Sequence, residues 1–286
     1  MTVLEALQRS TEFLTRKGVD SPRLQAELLL AGVLNLPRMQ LYLRFDQALA
    51  DADVERYRQW VMRRGQREPL QHILGSTSFC GVEIAVDRSV LVPRPETELL
   101  AEQGWLFLNG LGSDAKPAAL DFGTGSGCLA ITLALKSPPA QVYAVDLSAD
   151  ALELARQNAV TSGVAERIRF FQGDGFAALP SDARFDLIVS NPPYIPTAEI
   201  GTLQPEVRDY DPRGALDGGA DGLDFYRRIA CEAAPFLKNG GRLMLEFGDG
   251  QAEAVRGLFE HQNWIVEHIL PDYTQRPRIM MARKQT

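Results

Sequence analysis

Asn191-Pro192-Pro193-Tyr194-Ile195 carries the most specific chemistry in the sequence. Consecutive prolines supply carbonyls and no N–H groups, and Pro192 holds Asn191 in an extended conformation. The segment is therefore rich in acceptors and poor in donors. A carboxamide or an exocyclic NH2 group brings two donors. The Asn191 side-chain oxygen and the Pro192 carbonyl can accept both, while the Tyr194 ring covers the planar face. Taken alone, the same residues also describe a proline-rich turn after a strand. Two earlier motifs, in the right order along the chain, favour the chemical reading.

The first is Asp121-Phe122-Gly123-Thr124-Gly125-Ser126-Gly127-Cys128, a strand-to-helix turn whose glycines let the backbone approach a ligand closely. The second is Asp146, 19 residues after Gly127, at the end of the next strand. A carboxylate there can accept both hydroxyl protons of a ribose. Together they describe an adenosine ligand. A dinucleotide fingerprint GxGxxG would need glycine at position 128, which is Cys128, and no GxxxxGK[ST] phosphate loop is present. GxGxG instead resembles the S-adenosylmethionine (SAM)-binding loop of the Rossmann-like methyltransferases. In that group an acidic residue closing the third strand reads the adenine amino group, a place filled here by Asp174 in Gly173-Asp174-Gly175. An Asp after a strand is otherwise a turn former. Gly175 offers only backbone where relatives often carry a bulkier side chain.

An amide nitrogen is a poor nucleophile because its lone pair is delocalised, so fixing both hydrogens and aiming the nitrogen at a sulfonium methyl is what a protein can add. Orientation of this kind supplies up to roughly 7 to 11 kcal/mol in ideal cases. The expectation is a site with no metal and no covalent nucleophile, its released proton leaving to water. His72, His261 and His268 are scattered and receive no role; Cys80, Cys128 and Cys231 have neither a disulfide pattern nor a zinc spacing.

These residues need a frame. From Ala118 onward short apolar runs alternate with helical patterns, the mark of a doubly wound α/β sheet. Seven strands are expected: 118–122, 141–145, 168–172, 185–190, 242–247, 264–269 and 278–282. The last two lack an intervening helix, which predicts a parallel sheet ending in an antiparallel pair. Ligands collect at the carboxyl ends of such strands.

Residues 1–75 read as a small helical bundle. Val3, Leu4 and Leu7 recur at helical spacing, Ser21-Pro22 opens a second helix in which Leu24, Leu28 and Val33 form the expected buried side, and Val54, Tyr57, Val61 and Met62 make a stripe after Asp51 or Asp53 as cap. Residues 76–92 read as a β-hairpin linker around Cys80-Gly81, with Phe79, Val82, Ile84 and Val86 alternating. Pro93 and Pro95 then bracket a helix over 96–108.

The net charge of −7 argues against wrapping duplex nucleic acid. Residues 1–75 hold 11 Lys+Arg against 9 Asp+Glu, and the remainder 19 against 28. Arg56, Arg58, Arg63, Arg64 and Arg67 read first as a solvated helix face, with a docking surface as the alternative. The start Met1-Thr2-Val3-Leu4-Glu5 lacks a basic segment followed by an apolar one, and no apolar run approaches the roughly 18 residues of a membrane span. A cytoplasmic protein is expected.

Across nearly its whole length the sequence is similar to the bacterial protein-(glutamine-N5) methyltransferases of the PrmC (HemK) family, which modify class 1 peptide chain release factors. The matching text is Arg67 to Gly75 (REPLQHILG), Val92 to Glu98 (VPRPETE), Asp121 to Gly127, Ser190 to Ile195 and Leu245-Glu246-Phe247-Gly248. The resemblance implies a Rossmann-like class I SAM-dependent methyltransferase with a seven-stranded sheet over 93–286, and an N-terminal helical domain that helps bind the release factor. It places cofactor contacts on Gly123, Thr124, Gly125, Ser126, Gly127, Asp146, Asp174 or Gly175, and Asn191. The substrate glutamine falls to Asn191, Pro192, Pro193 and Tyr194. No direct nucleic-acid partner, no membrane and a monomer are expected. An N6-adenine or ribosomal-protein glutamine methyltransferase is the alternative enzyme, and a SAM-binding protein without turnover the alternative class.

Overall fold

The computed structural model describes residues 1–112 and 115–285. Among them the chain divides into two compact units, one of Met1–Ser76 with Leu203–Tyr210 and one of Thr77–Thr202 with Asp211–Thr286.

In the first unit, α1 (Val3–Arg16) starts with a reciprocal cap: Thr2 Oγ1 accepts from Glu5 N–H at 3.2 Å, and Thr2 N–H donates to Glu5 Oε2 at 2.9 Å. Helix α2 (Pro22–Leu34) has proline in its first turn and ends on left-handed Asn35. Its buried side is Ala26, Leu29, Leu30 and Val33, whereas Leu24 is 41% exposed and Leu28 half-buried. The expected face therefore turns. The helix is apolar on more than one side, so two stripes share the 3.6 period, and packing against its neighbours selects one. In α3 (Asp51–Gly65), Tyr57 and Val61 are buried and the Tyr57 hydroxyl donates to Ala26 O at 3.0 Å, but Met62 is exposed. Neither aspartate caps α3; Asp51 and Asp53 sit in its first turn.

The arginine cluster is not an open basic face. Arg56 pairs with Asp53, Arg58 with Glu55, Arg63 with Glu68, and Arg64 and Arg67 both with Glu206. Arg64 is buried. Helix α4 (Leu70–Leu74) follows, and the short α8 (Pro205–Arg208) carries Glu206.

In the second unit, β1 (Ser76–Phe79) and β2 (Val82–Ala85) form the hairpin, turning on Cys80 and Gly81 with φ of 51° and 79°. Phe79, Ile84 and Val86 enter the core beneath the sheet. Helix α5 spans Pro95–Asn109. Then come β3 (Ala118–Phe122), α6 (Cys128–Lys136), β4 (Gln141–Asp146), α7 (Ala149–Thr161), β5 (Ile168–Gln172), β6 (Phe185–Ser190), α9 (Asp224–Glu232), β7 (Leu237–Glu246), α10 (Ala252–His261), β8 (Trp264–Pro271) and β9 (Pro277–Lys284).

The seven strands run β5-β4-β3-β6-β7-β9-β8, parallel from β5 to β7 and antiparallel at β9 and β8. Strand β7 starts at Leu237 rather than Arg242. Its opening takes in Asn239-Gly240-Gly241, which has no apolar alternation, and its register with β6 slips between Phe185 and Leu187. Alternation along the strands divides the core: Ala119, Leu187 and Val189 face α5, α6 and α7, while Leu120 and Ile188 face α9 and α10. No helix among the described residues is long and apolar enough to cross a membrane.

Candidate active site

The carboxyl ends of β3, β4, β5 and β6 wall a cavity of about 470 Å³. It brings together Gly123, Thr124, Gly125, Ser126, Asp146, Asp174, Gly175, Asn191 and Pro193. Gly127, Pro192 and Tyr194 stand outside its wall.

The glycine loop is held from the end of β4. Gly123 and Thr124 N–H groups donate to Val145 O at 2.9 and 3.0 Å, and Gly125 N–H donates to Asp146 Oδ2 at 2.8 Å. Gly123 and Gly125 take φ of 76° and 53°, and a Cβ at either would meet no protein atom within 4 Å. Backbone conformation, with open space alongside, is what requires glycine there. Gly127 differs: a Cβ would stand 3.1 Å from Ala155 of α7, so this residue serves helix packing. Beneath the loop, buried Asp121 accepts from the Thr124 hydroxyl at 2.6 Å and Ala130 N–H at 3.1 Å, while its Oδ1 has no partner. Burial pushes its carboxyl up to about 7.

Asp146 accepts Ser148 N–H on Oδ1 at 2.9 Å besides Gly125 N–H on Oδ2. Each carboxylate oxygen retains a further lone pair for a ligand. Asp174 is engaged by Arg228, which pairs with its carboxylate and donates to its backbone carbonyl at 2.8 Å. At Gly175 a Cβ would come within 2.9 Å of both Arg228 and the Phe122 ring, so the position admits no side chain. Phe122 and Phe225 line the cavity and bring it aromatic surface.

Strand β6 is tied to β3 where the Ser190 hydroxyl donates to Phe122 O at 2.6 Å. The segment after it is pinned by Leu216–Gly222: Ile195 N–H donates to Leu216 O at 3.0 Å and Gly218 N–H to Ile195 O at 2.9 Å. A Cβ on Gly222 would sit 2.3 Å from Tyr194 O, so only glycine lets the two segments close. Tyr194 is half-buried against the core, its ring edge beside Gly248, and burial pushes its phenol up to about 12.

Asn191 Nδ2 donates to Thr97 Oγ1 at 3.0 Å, and the Thr97 hydroxyl donates to Glu246 Oε2 at 2.7 Å. Asn191 Oδ1 accepts no hydrogen bond among the described residues. Arg94 lines the cavity and pairs with buried Asp211 at 2.7 Å. Asn158 accepts from Ala85 N–H at 2.9 Å and donates to Ala85 O at 3.0 Å and Ser126 O at 2.9 Å, joining the hairpin to the glycine loop. Sequence reasoning assigned no role to Thr97, Glu246, Arg94, Asn158 or Arg228. The first three lie in the VPRPETE and LEFG segments, where Glu246, a charge between Leu245 and Phe247 in an apolar strand, is the one local signal. Among the described residues no group of three or more His, Cys, Asp and Glu could hold a metal.

The methyltransferase small domain model matches residues 102–203, and a methyltransferase structure from Pyrococcus furiosus aligns with a TM-score of 0.53 at 20% identity, covering 73% of this chain and 92% of that one. The sheet-bearing unit thus has a methyltransferase fold. Residues 5–75 match the PrmC N-terminal domain model. The chain is 47% identical to the release factor glutamine methyltransferase of Chlorobaculum tepidum, covering 99% of this chain and 98% of that one. It is 48% identical to that of Geobacter sulfurreducens, over 90% and 88%. The chain belongs to the release factor glutamine methyltransferase family.

Proposed function

We propose that this protein transfers a methyl group from SAM to the side-chain amide nitrogen (N5) of the glutamine in the Gly-Gly-Gln loop of class 1 release factors. The observation that carries the reading is one cavity holding both the open-sided glycine loop with Asp146 and an Asn191 whose Oδ1 is left free. The donor set suits SAM: Asp146 keeps lone pairs for the ribose hydroxyls, Asp174 or the Gly175 backbone meets the adenine, and Gly123 and Gly125 leave the loop open where a Cβ would otherwise stand. When bound, SAM supplies an electrophilic methyl on a sulfonium.

The chain's own part is orientation. Asn191 Oδ1 accepts a hydrogen of the substrate NH2 and aims its nitrogen, whereas Pro192, whose carbonyl was the second acceptor expected from the sequence, lies outside the cavity wall. Asn191 stands at the cavity wall beside the cofactor loop, so binding and transfer share one space.

Incubation with SAM and a folded release factor tests this by mass spectrometry. One methyl group, about 14 Da, should appear at the loop glutamine. A release factor with glutamate there should gain none, because its carboxylate sets acceptors against acceptors. Methylation of nucleic acid instead, or of the glutamate variant, would overturn the reading.

A further inference from the structure

Amide recognition through Asn191 requires its oxygen, not its NH2, to face the substrate. The two orientations of an asparagine amide have nearly the same shape, so neighbouring hydrogen bonds must select one. Here the neighbours are Thr97 in the first turn of α5 and Glu246 at the end of β7, 3% and 1% exposed. We propose that Thr97 and Glu246 are positioning residues that fix the Asn191 amide with Oδ1 toward the substrate; the proposal rests on the function given above.

The count of available protons selects the orientation. A carboxylate only accepts, so the single hydroxyl proton of Thr97 is committed to Glu246 Oε2 at 2.7 Å. Its oxygen is then left to accept, and Asn191 must meet it with Nδ2, as it does at 3.0 Å. A reversed amide would oppose Oδ1 to the Thr97 lone pairs and NH2 to the substrate NH2, two mismatched pairings. The parallel register Ser190↔Leu245 sets Glu246 beside Asn191, and the Tyr226 hydroxyl, donating to Glu246 O at 2.9 Å, braces the strand end.

Protonation of Glu246 inverts this logic. A carboxylic acid donates to Thr97, whose freed hydroxyl then favours Asn191 Oδ1. Burial raises Glu246 to about 7 against the Thr97 hydrogen bond and Arg278; Glu96 adds to the rise and Arg94 opposes it. The phenols of Tyr194 and Tyr226 also face it, both held neutral by burial. The productive orientation is present above the Glu246 pKa and lost as pH falls through it.

Steady-state kinetics of the full chain with SAM and a folded release factor should show kcat lowered about 10- to 100-fold in Thr97→Val. Release-factor KM and calorimetric SAM affinity should stay near wild type, and Thr97→Ser should restore turnover. In ligand-free 15N-labelled protein, the Asn191 NH2 pair, identified by its loss in Asn191→Asp, should contain one slowly exchanging proton. That protection should disappear in Thr97→Val and on acidification through the Glu246 pKa. Glu246→Gln should remove the pH response of both kcat and this signal. Wild-type kcat in Thr97→Val, equal impairment in Thr97→Ser, or an acid limb surviving in Glu246→Gln would overturn the proposal; the last would assign the limb to Asp121 instead. Should Thr97→Val fail to fold, the Glu246→Gln comparison decides. The spectroscopic arm needs neither SAM nor substrate, so a protein with this signal that leaves release factor unmethylated counts against the function and not against the positioning.

Discussion

Arg64 Nη2 donates to Glu206 Oε1 at 2.6 Å, a bond between residues 142 positions apart within the helical unit. Arg67 adds two bonds of 2.7 Å to the same carboxylate. Burial pushes Glu206 up, but the hydrogen bonds from Arg67 and Arg64 outweigh it and hold the carboxyl below its ordinary 4.5. Glu206→Ala leaves the buried Arg64 without its carboxylate; because Glu206 is only half-buried and Arg64 keeps Gln25 and the Glu68 carbonyl, the cost falls below the roughly 3 to 5 kcal/mol of a fully buried pair. Denaturant unfolding should report the loss, and hydrogen exchange should show residues 203–210 losing protection. In the parent protein the pair's contribution is complete above 4.5 and disappears as pH falls through the lowered Glu206 value. An unchanged midpoint in the variant would contradict the clamp.

Asn191→Ala removes the proposed substrate acceptor and leaves the glycine loop in place. Turnover should fall by about two to three orders of magnitude, the usual effect of losing one preorganised polar group at a reaction centre. SAM affinity should change far less. Normal turnover would dismiss the acceptor role.

Asp146→Ala should weaken SAM at least about tenfold, since hydrogen bonds to a charged acceptor contribute roughly 1.5 to 3 kcal/mol each. Part of the loss arises within the protein, because Gly125 and Ser148 N–H groups also lose their acceptor. Calorimetry on the folded variant is the check, and unchanged affinity would remove Asp146 from the ribose site.

Asp121, raised from 3.8 to about 7, keeps in the folded state a proton that the unfolded chain gives up. Stability should therefore fall as pH rises between those values, and Glu246 acts in the same direction. Asp121→Asn should flatten the decline, and the double change with Glu246→Gln should flatten it further. Thermal midpoints across this range decide. An unaltered slope in Asp121→Asn would mean that the carboxyl ionises equally in both states.

Local sequence determined the frame and the motif ends of the site. Strand runs, glycine spacing and Asp146 are short-range signals, because alternation and turn chemistry act between neighbours a few residues apart. The seven strands accordingly appear where expected, apart from the early start of β7, whose glycines hide the pattern. What lay beyond reach are side-chain relationships between distant segments: which stripe of α2 is buried, the pairing of Arg64 with Glu206, the displacement of Tyr194 from the cavity wall, and the chain Glu246–Thr97–Asn191. An Asn before two prolines announces an acceptor by composition alone. Which way its amide faces depends on a hydroxyl 94 residues earlier and the carboxylate that claims its proton, and only the folded chain brings those three together.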